Sequence, residues 1–205
     1  MKKIKIRNNE ELEDKVIKSF DLLRTNIEFA DSSAKTLVVT SAGNKEGKSL
    51  ISFQLACNMA SNGKKVLLVM ADLRKGVSGP GKDVAGMLDA VAGKAGLNDS
   101  VYKTDMQNLF IMFSGSSDLP AEKIIKSDAF ASMINIFKNK FDYILFDTAP
   151  VLDGTTTSLI TNKCDGVVLV MGKNKTAYDV GLAAKEQIEL AGGKILGVVL
   201  NNSGR

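Results

Sequence analysis

Short runs of apolar, mostly β-branched residues recur along the chain, separated by segments whose apolar positions repeat at helical spacing. A strand buried on both faces reads as a continuous apolar run, so this alternation predicts a parallel sheet with helices on both sides. The runs predict strands at Thr36–Ser41, Lys65–Ala71, Asn108–Phe113, Tyr143–Asp147, Gly166–Met171 and Ile195–Asn201. Helical spacing predicts helices over Lys48–Asn62, Asp128–Lys140 and Thr176–Ala191, the first closed by Gly63 in a C-cap position. Ahead of the first strand, Leu12, Val16, Phe20, Leu23 and Ile27 form an apolar stripe on the charged segment Glu11–Phe29, a helix expected to pack on the sheet. The Gly- and Pro-rich stretch Gly76–Gly81 reads as a loop beside the end of the second strand. With no internal repeat or low-complexity segment, residues 1–205 are expected to form a single domain, with 1–35 an N-terminal helical segment packed on it.

Composition narrows the chemistry. The chain of 205 residues is 44% hydrophobic and 24% charged, ordinary for a globular domain with a sizeable core. A net charge of +4, without a run of five like charges, gives no sign of a nucleic-acid arm. The basic start Met1-Lys2-Lys3 leads into polar residues, which does not fit a signal peptide, and no apolar run approaches the ~18 residues of a membrane span. A cytoplasmic location is expected. Cys57 and Cys164 lack metal or redox spacing and read as buried thiols. The chain has 0 histidines, which excludes imidazole-based triads, dyads and zinc sites. Any chemistry must run on Lys, Asp, Glu, Ser, Thr and backbone amides.

Such a set stands at the end of the first strand. The segment Thr40-Ser41-Ala42-Gly43-Asn44-Lys45-Glu46-Gly47-Lys48-Ser49 follows an apolar strand and opens a helix, the context of a phosphate-binding loop. The amides of such a turn converge on an anion, and the helix dipole adds positive potential. Lys48 would reach the β- and γ-phosphates and Ser49 would hold magnesium. The residues assigned to nucleotide binding are Gly43, Asn44, Lys45, Glu46, Gly47, Lys48, Ser49, Leu50 and Asn201. Ala42 departs from the glycine that usually opens the motif. Two carboxylates close neighbouring strands: Asp147 after Tyr143-Ile144-Leu145-Phe146, and Asp72 after Val66–Ala71. Ligands of open α/β sheets sit beyond the carboxyl ends of strands, so both are candidate magnesium ligands with Ser49, and with Lys48 they are the candidate catalytic residues. The fold expected is therefore a doubly wound α/β P-loop NTPase fold binding ATP or ADP with Mg2+.

The chain resembles the bacterial tyrosine kinases of capsule and exopolysaccharide synthesis, relatives of the MinD and ParA ATPases. The resemblance runs through Leu23–Phe29, Glu46–Ser49, Gly63–Val69, Ala71-Asp72-Leu73-Arg74-Lys75, Phe141–Thr148, Cys164-Asp165-Gly166 and Leu196–Asn201. It implies a cytoplasmic domain that phosphorylates protein tyrosines from ATP and is activated by a membrane polysaccharide co-polymerase, the partner through which it would reach the inner face of the membrane. It also implies that Lys48, Ser49, Asp72 and Asp147 line the γ-phosphate and that Asn201 lies near the adenine. Gly43 stands where MinD-type ATPases carry an extra lysine, which favours the kinase branch.

Several positions depart from that pattern. Met70 replaces the first carboxylate of the family's Asp-x-Asp, and a thioether cannot accept a proton from an attacking hydroxyl. Lys45, Leu50 and Thr156 stand where Gly, a hydroxyl residue and Asp are usual. The three tyrosines, Tyr102, Tyr143 and Tyr178, are scattered, and no tyrosine-rich tail follows Asn201, which a trimmed sequence would explain equally well. Lys18, Asp21 and Arg24 replace the Glu, Arg and Arg of ring-forming members, so a homo-oligomer is expected to have a weakened ring interface. An alternative reading follows: a catalytically weakened, nucleotide-binding regulatory partner of the co-polymerase.

Overall fold

The computed structural model describes residues 3–5, 13–75 and 84–202. Seven strands form one sheet: β1 (Thr36–Ser41), β2 (Val66–Ala71), β3 (Tyr102–Lys103), β4 (Leu109–Met112), β5 (Tyr143–Thr148), β6 (Gly166–Gly172) and β7 (Ile195–Asn201). Their order is β3-β4-β2-β5-β1-β6-β7, and every pairing is parallel except β3 with β4. The helices are α1 (Asp14–Ala30), α2 (Lys48–Ser61), α3 (Met87–Val91), α4 (Ala121–Ile125), α5 (Asp128–Lys138), α6 (Thr155–Thr161) and α7 (Tyr178–Leu190), with a 3₁₀ turn at Leu73–Lys75.

The strand residues sort by parity onto two cores. Leu37, Val39, Val66, Leu68 and Leu145 pack under α1 and α2 with Phe20, Ile27, Ile51 and Leu55. Val38, Leu67, Val69, Ile144 and Phe146 face the other way, against Phe130, Met133, Ile134, Phe137 and Ile160 of α5 and α6. Both faces being covered, the central strands carry no polar alternation, which is why they were legible as apolar runs. The α1 stripe is narrower than expected: Phe20 and Ile27 are buried, Leu23 is half-buried, Val16 is exposed, and Leu12 lies outside the described residues.

Element ends are corrected in places. β4 starts at Leu109 because Asn108 takes a left-handed backbone, φ 65°. α5 stops at Lys138, and α7 begins at Tyr178, since the hydroxyl of Thr176 accepts the Gly172 amide at 2.9 Å and holds a turn there. Gly63 does close α2, with φ 81° and Lys64 N–H donating back to the Met59 carbonyl at 3.2 Å. The expected loop at 76–81 lies outside the described residues.

Register then sets the site. The pairs Val39–Asp147 and Met70–Asp147 bring the carboxyl ends of β1, β2 and β5 to one edge of the sheet. The loop from β1 to α2 therefore sits directly over the ends of β2 and β5.

Candidate functional site

The turn Ala42–Gly47 reverses the chain from β1 into α2, with two left-handed residues, Lys45 at φ 57° and Gly47 at φ 86°. Gly47 adopts this at little cost, whereas Lys45 carries a side chain in a region that most residues avoid. The turn is tied internally: Ser41 Oγ donates to the Gly43 carbonyl at 2.7 Å, and the Gly43 amide donates to Glu46 Oε2 at 2.8 Å. Glu46 is buried, and its other oxygen accepts from the Thr176 hydroxyl. Asn201 Nδ2 donates to the Glu46 carbonyl at 2.8 Å, and Lys175 Nζ to that of Lys45 at 2.7 Å. The β6–α7 turn and the end of β7 thus brace the loop from outside. Leu50 and Asn201 border one open groove of about 750 Å3 between α1, the start of α2 and β7.

Lys48, Asp72 and Asp147 meet beneath the loop. They are 8%, 7% and 2% exposed, so all three charges are largely withdrawn from water. Lys48 Nζ lies 3.1 Å from Asp72 Oδ2, and Arg74 holds the same carboxylate with two further bonds of 3.0 Å, Nε to Oδ1 and Nη2 to Oδ2. Burial alone would raise the Asp72 carboxyl. The hydrogen bonds from Arg74 and Lys48 overcome that and hold it well below the usual carboxylate range.

Asp147 behaves oppositely. Burial pushes its carboxyl up, against the hydroxyls of Ser49 and Ser52 and the charge of Lys48. Its Oδ1 is buried with no hydrogen-bond partner. A buried orphan oxygen next to the first hydroxyl of α2 is the donor set that a hard divalent cation, or its water, would complete. No cluster of three or more His, Cys, Asp or Glu side chains that could hold a metal ion occurs among the described residues. Met70 stands beside Asp147 in the neighbouring strand, half-buried and packed toward α2, so a carboxylate at this position would adjoin Asp147.

Asp147→Asn removes a buried charge and is expected to stabilise the ligand-free chain at neutral pH, because burial disfavours the ionised carboxylate. The folded pKa of Asp147 is raised, so its destabilising effect is absent below its unfolded value of ~3.9 and develops as pH rises through the folded value. Urea midpoints of the native and variant chains should converge on acidification; a variant less stable than the native chain at pH 7 would contradict this.

Residues outside the expected set complete the site. Arg74 Nη1 donates to Asn44 Oδ1 at 3.0 Å and to Asp153 in the turn after β5. Asn44 Nδ2 donates to the same Asp153 oxygen at 2.6 Å. Arg74 was visible only as part of a motif, and nothing in the spacing of positions 44, 74 and 153 announces their meeting. Elsewhere, Asp21 accepts from Asn58 at 2.9 Å and Arg24 pairs with Glu28 at 3.1 Å, so both are engaged within the chain. Cys57 is buried, and Cys164, expected buried, is half-buried; both are free thiols. No described helix is long and apolar enough to cross a membrane.

Comparison with known proteins places this geometry. Residues 34–184 match the AAA domain family. The tyrosine-protein kinase CpsD of Streptococcus agalactiae is 37% identical over 186 residues, covering 89% of this chain and 80% of the relative. The tyrosine-protein kinase YwqD of Bacillus subtilis is 32% identical, covering 87% and 78%. Among solved structures, the chimerical protein CapA2B2 superposes with TM-score 0.88 at 29% identity, covering 100% of this chain and 94% of that one. The MinD protein of Pyrococcus horikoshii, solved with Mg-ADP, superposes with TM-score 0.64 at 27% identity, covering 83% and 71%.

Proposed function

We propose a phosphoryl-transfer role for this chain, which belongs to the bacterial tyrosine-protein kinase family on the P-loop ATPase fold: it moves the γ-phosphate of ATP to a protein tyrosine. The observation that carries this reading is the convergence of Lys48, Asp72 and Asp147 under the β1–α2 loop, with an orphaned carboxylate oxygen beside Ser49. Lys48 and the loop amides would hold the phosphates, and Gly43–Leu50 with Asn201 would form the nucleotide site. Ser49, Asp147 and Asp72 would hold magnesium, which supplies charge to the phosphate oxygens. A tyrosine oxygen bonds to the γ-phosphorus as the bridging oxygen leaves with ADP, and the hydroxyl proton passes to a carboxylate or to water. Met70, at the end of β2 beside Asp147, offers no such acceptor.

By family resemblance the setting is capsular or exopolysaccharide synthesis, at the inner face of the membrane, with a membrane co-polymerase as activating partner. A second reading is favoured by Met70 alone: a nucleotide-binding regulator of that partner with weak transfer. Labelled ATP offered with a tyrosine-rich peptide separates them. Phosphotyrosine formation dependent on Mg2+ supports the kinase; nucleotide binding without any phosphotyrosine supports the regulator.

A further inference from the structure

The triangle of Asn44, Arg74 and Asp153 ties together three loops that meet at the phosphate end of the site: the β1–α2 loop, the turn after β2 and the turn after β5. Arg74 is the hub. It uses Nε and Nη2 as a fork on Asp72, and Nη1 on Asn44 and Asp153. Asp153 is fixed from its own side too, for its amide donates to the Pro150 carbonyl at 3.0 Å and its carboxylate takes Asn44 Nδ2.

This matters because Asp72 is shared by two cations. An ammonium drawn to the β- and γ-phosphates gives up all or part of its bond to Asp72, leaving that carboxylate to Arg74. A guanidinium fork can keep a carboxylate in one plane and orientation, which a single ammonium cannot. Arg74, however, is itself a partly exposed cation next to the arriving phosphates and would be attracted to them. What opposes this is Asp153, an anion bonded to its far nitrogen.

Resting on the phosphoryl-transfer reading above, we propose that Asp153 is a positioning residue: it anchors Arg74 so that Arg74 stays on Asp72, and Asp72 stays in place, when Lys48 turns to the nucleotide. Asp153 bonds Arg74 and Asn44 and acts through Arg74. Asn44 assists by closing the triangle from the loop that carries the phosphates. This chain therefore has a carboxylate in the turn after β5 with a task distinct from that of Asp147.

The test uses the full chain and three variants, Asp153→Asn, Asp153→Glu and Arg74→Lys, with melting temperatures as a folding control. Asp153→Asn removes the charge at nearly constant shape and should lower kcat ~10–100-fold, the range found when a supporting contact to a functional group is lost. Its KM for ATP and its calorimetric affinity for ATP with Mg2+ should stay within about threefold of native or become tighter, because a released Arg74 can meet the phosphates. Asp153→Glu should recover most of kcat, and Arg74→Lys should fall as Asp153→Asn does. Independently of turnover, with ATP and Mg2+ present the Nε–H resonance of Arg74, assigned by its loss in Arg74→Lys, should exchange slowly with water in the native chain and rapidly in Asp153→Asn.

A native kcat in Asp153→Asn, or an Arg74 resonance unaltered by it, overturns the proposal. So does a parallel loss of kcat, nucleotide affinity and melting temperature, which would mark a merely structural residue. A native chain that makes no phosphotyrosine instead overturns the kinase reading, and is recognised by an Arg74 resonance that still responds to Asp153→Asn as stated.

Discussion

Replacing Lys48 with alanine is expected to lower phosphate transfer by at least ~10²–10³-fold, the typical loss when one preorganised charge is removed from a developing anion, and to weaken ATP binding in parallel. Lys48 is buried and bonded to Asp72 beneath the loop, so its ammonium is held there before nucleotide arrives and can exchange all or part of that bond for the phosphates. Breaking a buried ion pair by deleting one partner usually unbalances a fold, at roughly 3–5 kcal/mol. Here the loss is cushioned, because Arg74 keeps two bonds to Asp72. The Lys48→Ala variant should thus fold and retain its sheet while losing function, measured as labelled phosphate transferred and as heat of ATP binding. Transfer within threefold of native would show that Lys48 does not serve the phosphates.

Restoring a carboxylate at position 70 is expected to work in the opposite direction. Met70→Asp places a potential proton acceptor beside Asp147 at the end of β2, and general-base help is typically worth ~10²–10⁴ in rate. Two costs accompany the gain. Adjacent carboxylates repel each other and the nucleotide phosphates, so ATP should bind more weakly, and the ligand-free chain should melt earlier because a half-buried thioether is replaced by a charge. Faster transfer with weaker binding in Met70→Asp would identify Met70 as a brake on an otherwise competent kinase. Unchanged transfer would mean that another group takes the tyrosine proton, or that residue 70 does not face the reaction.

How much of this was legible in the sequence follows from what each residue needs. The central strands were visible because burial on both faces leaves no polar alternation, and their ends were right to within a residue or two. β3 was not, since a two-residue antiparallel pairing at the sheet edge has too little pattern to register. The short helices α3, α4 and α6 were missed for the same reason, being five to seven residues long. Lys48, Ser49, Asp72 and Asp147 could be singled out as candidates because strand ends and a loop motif fix them locally. Arg74, Asp153 and Thr176 act through contacts between loops 30 to 130 residues apart, which no spacing rule encodes. Glu46 is the intermediate case: it lies within the motif, but its inward bonds to Gly43 and Thr176 give it a bracing role that only the folded loop reveals.

The chain keeps the ionisable carboxyl of Asp147 buried next to Ser49 with its Oδ1 unanswered, which costs stability. That cost makes sense if a nucleotide-bound cation repays it. The most direct measurement is calorimetric titration of the native chain with ATP, with and without Mg2+. The account predicts binding at one site per chain, strengthened by Mg2+ and losing that strengthening in Asp147→Asn. Binding that is indifferent to Mg2+, or a Mg2+ effect that survives in Asp147→Asn, would contradict it.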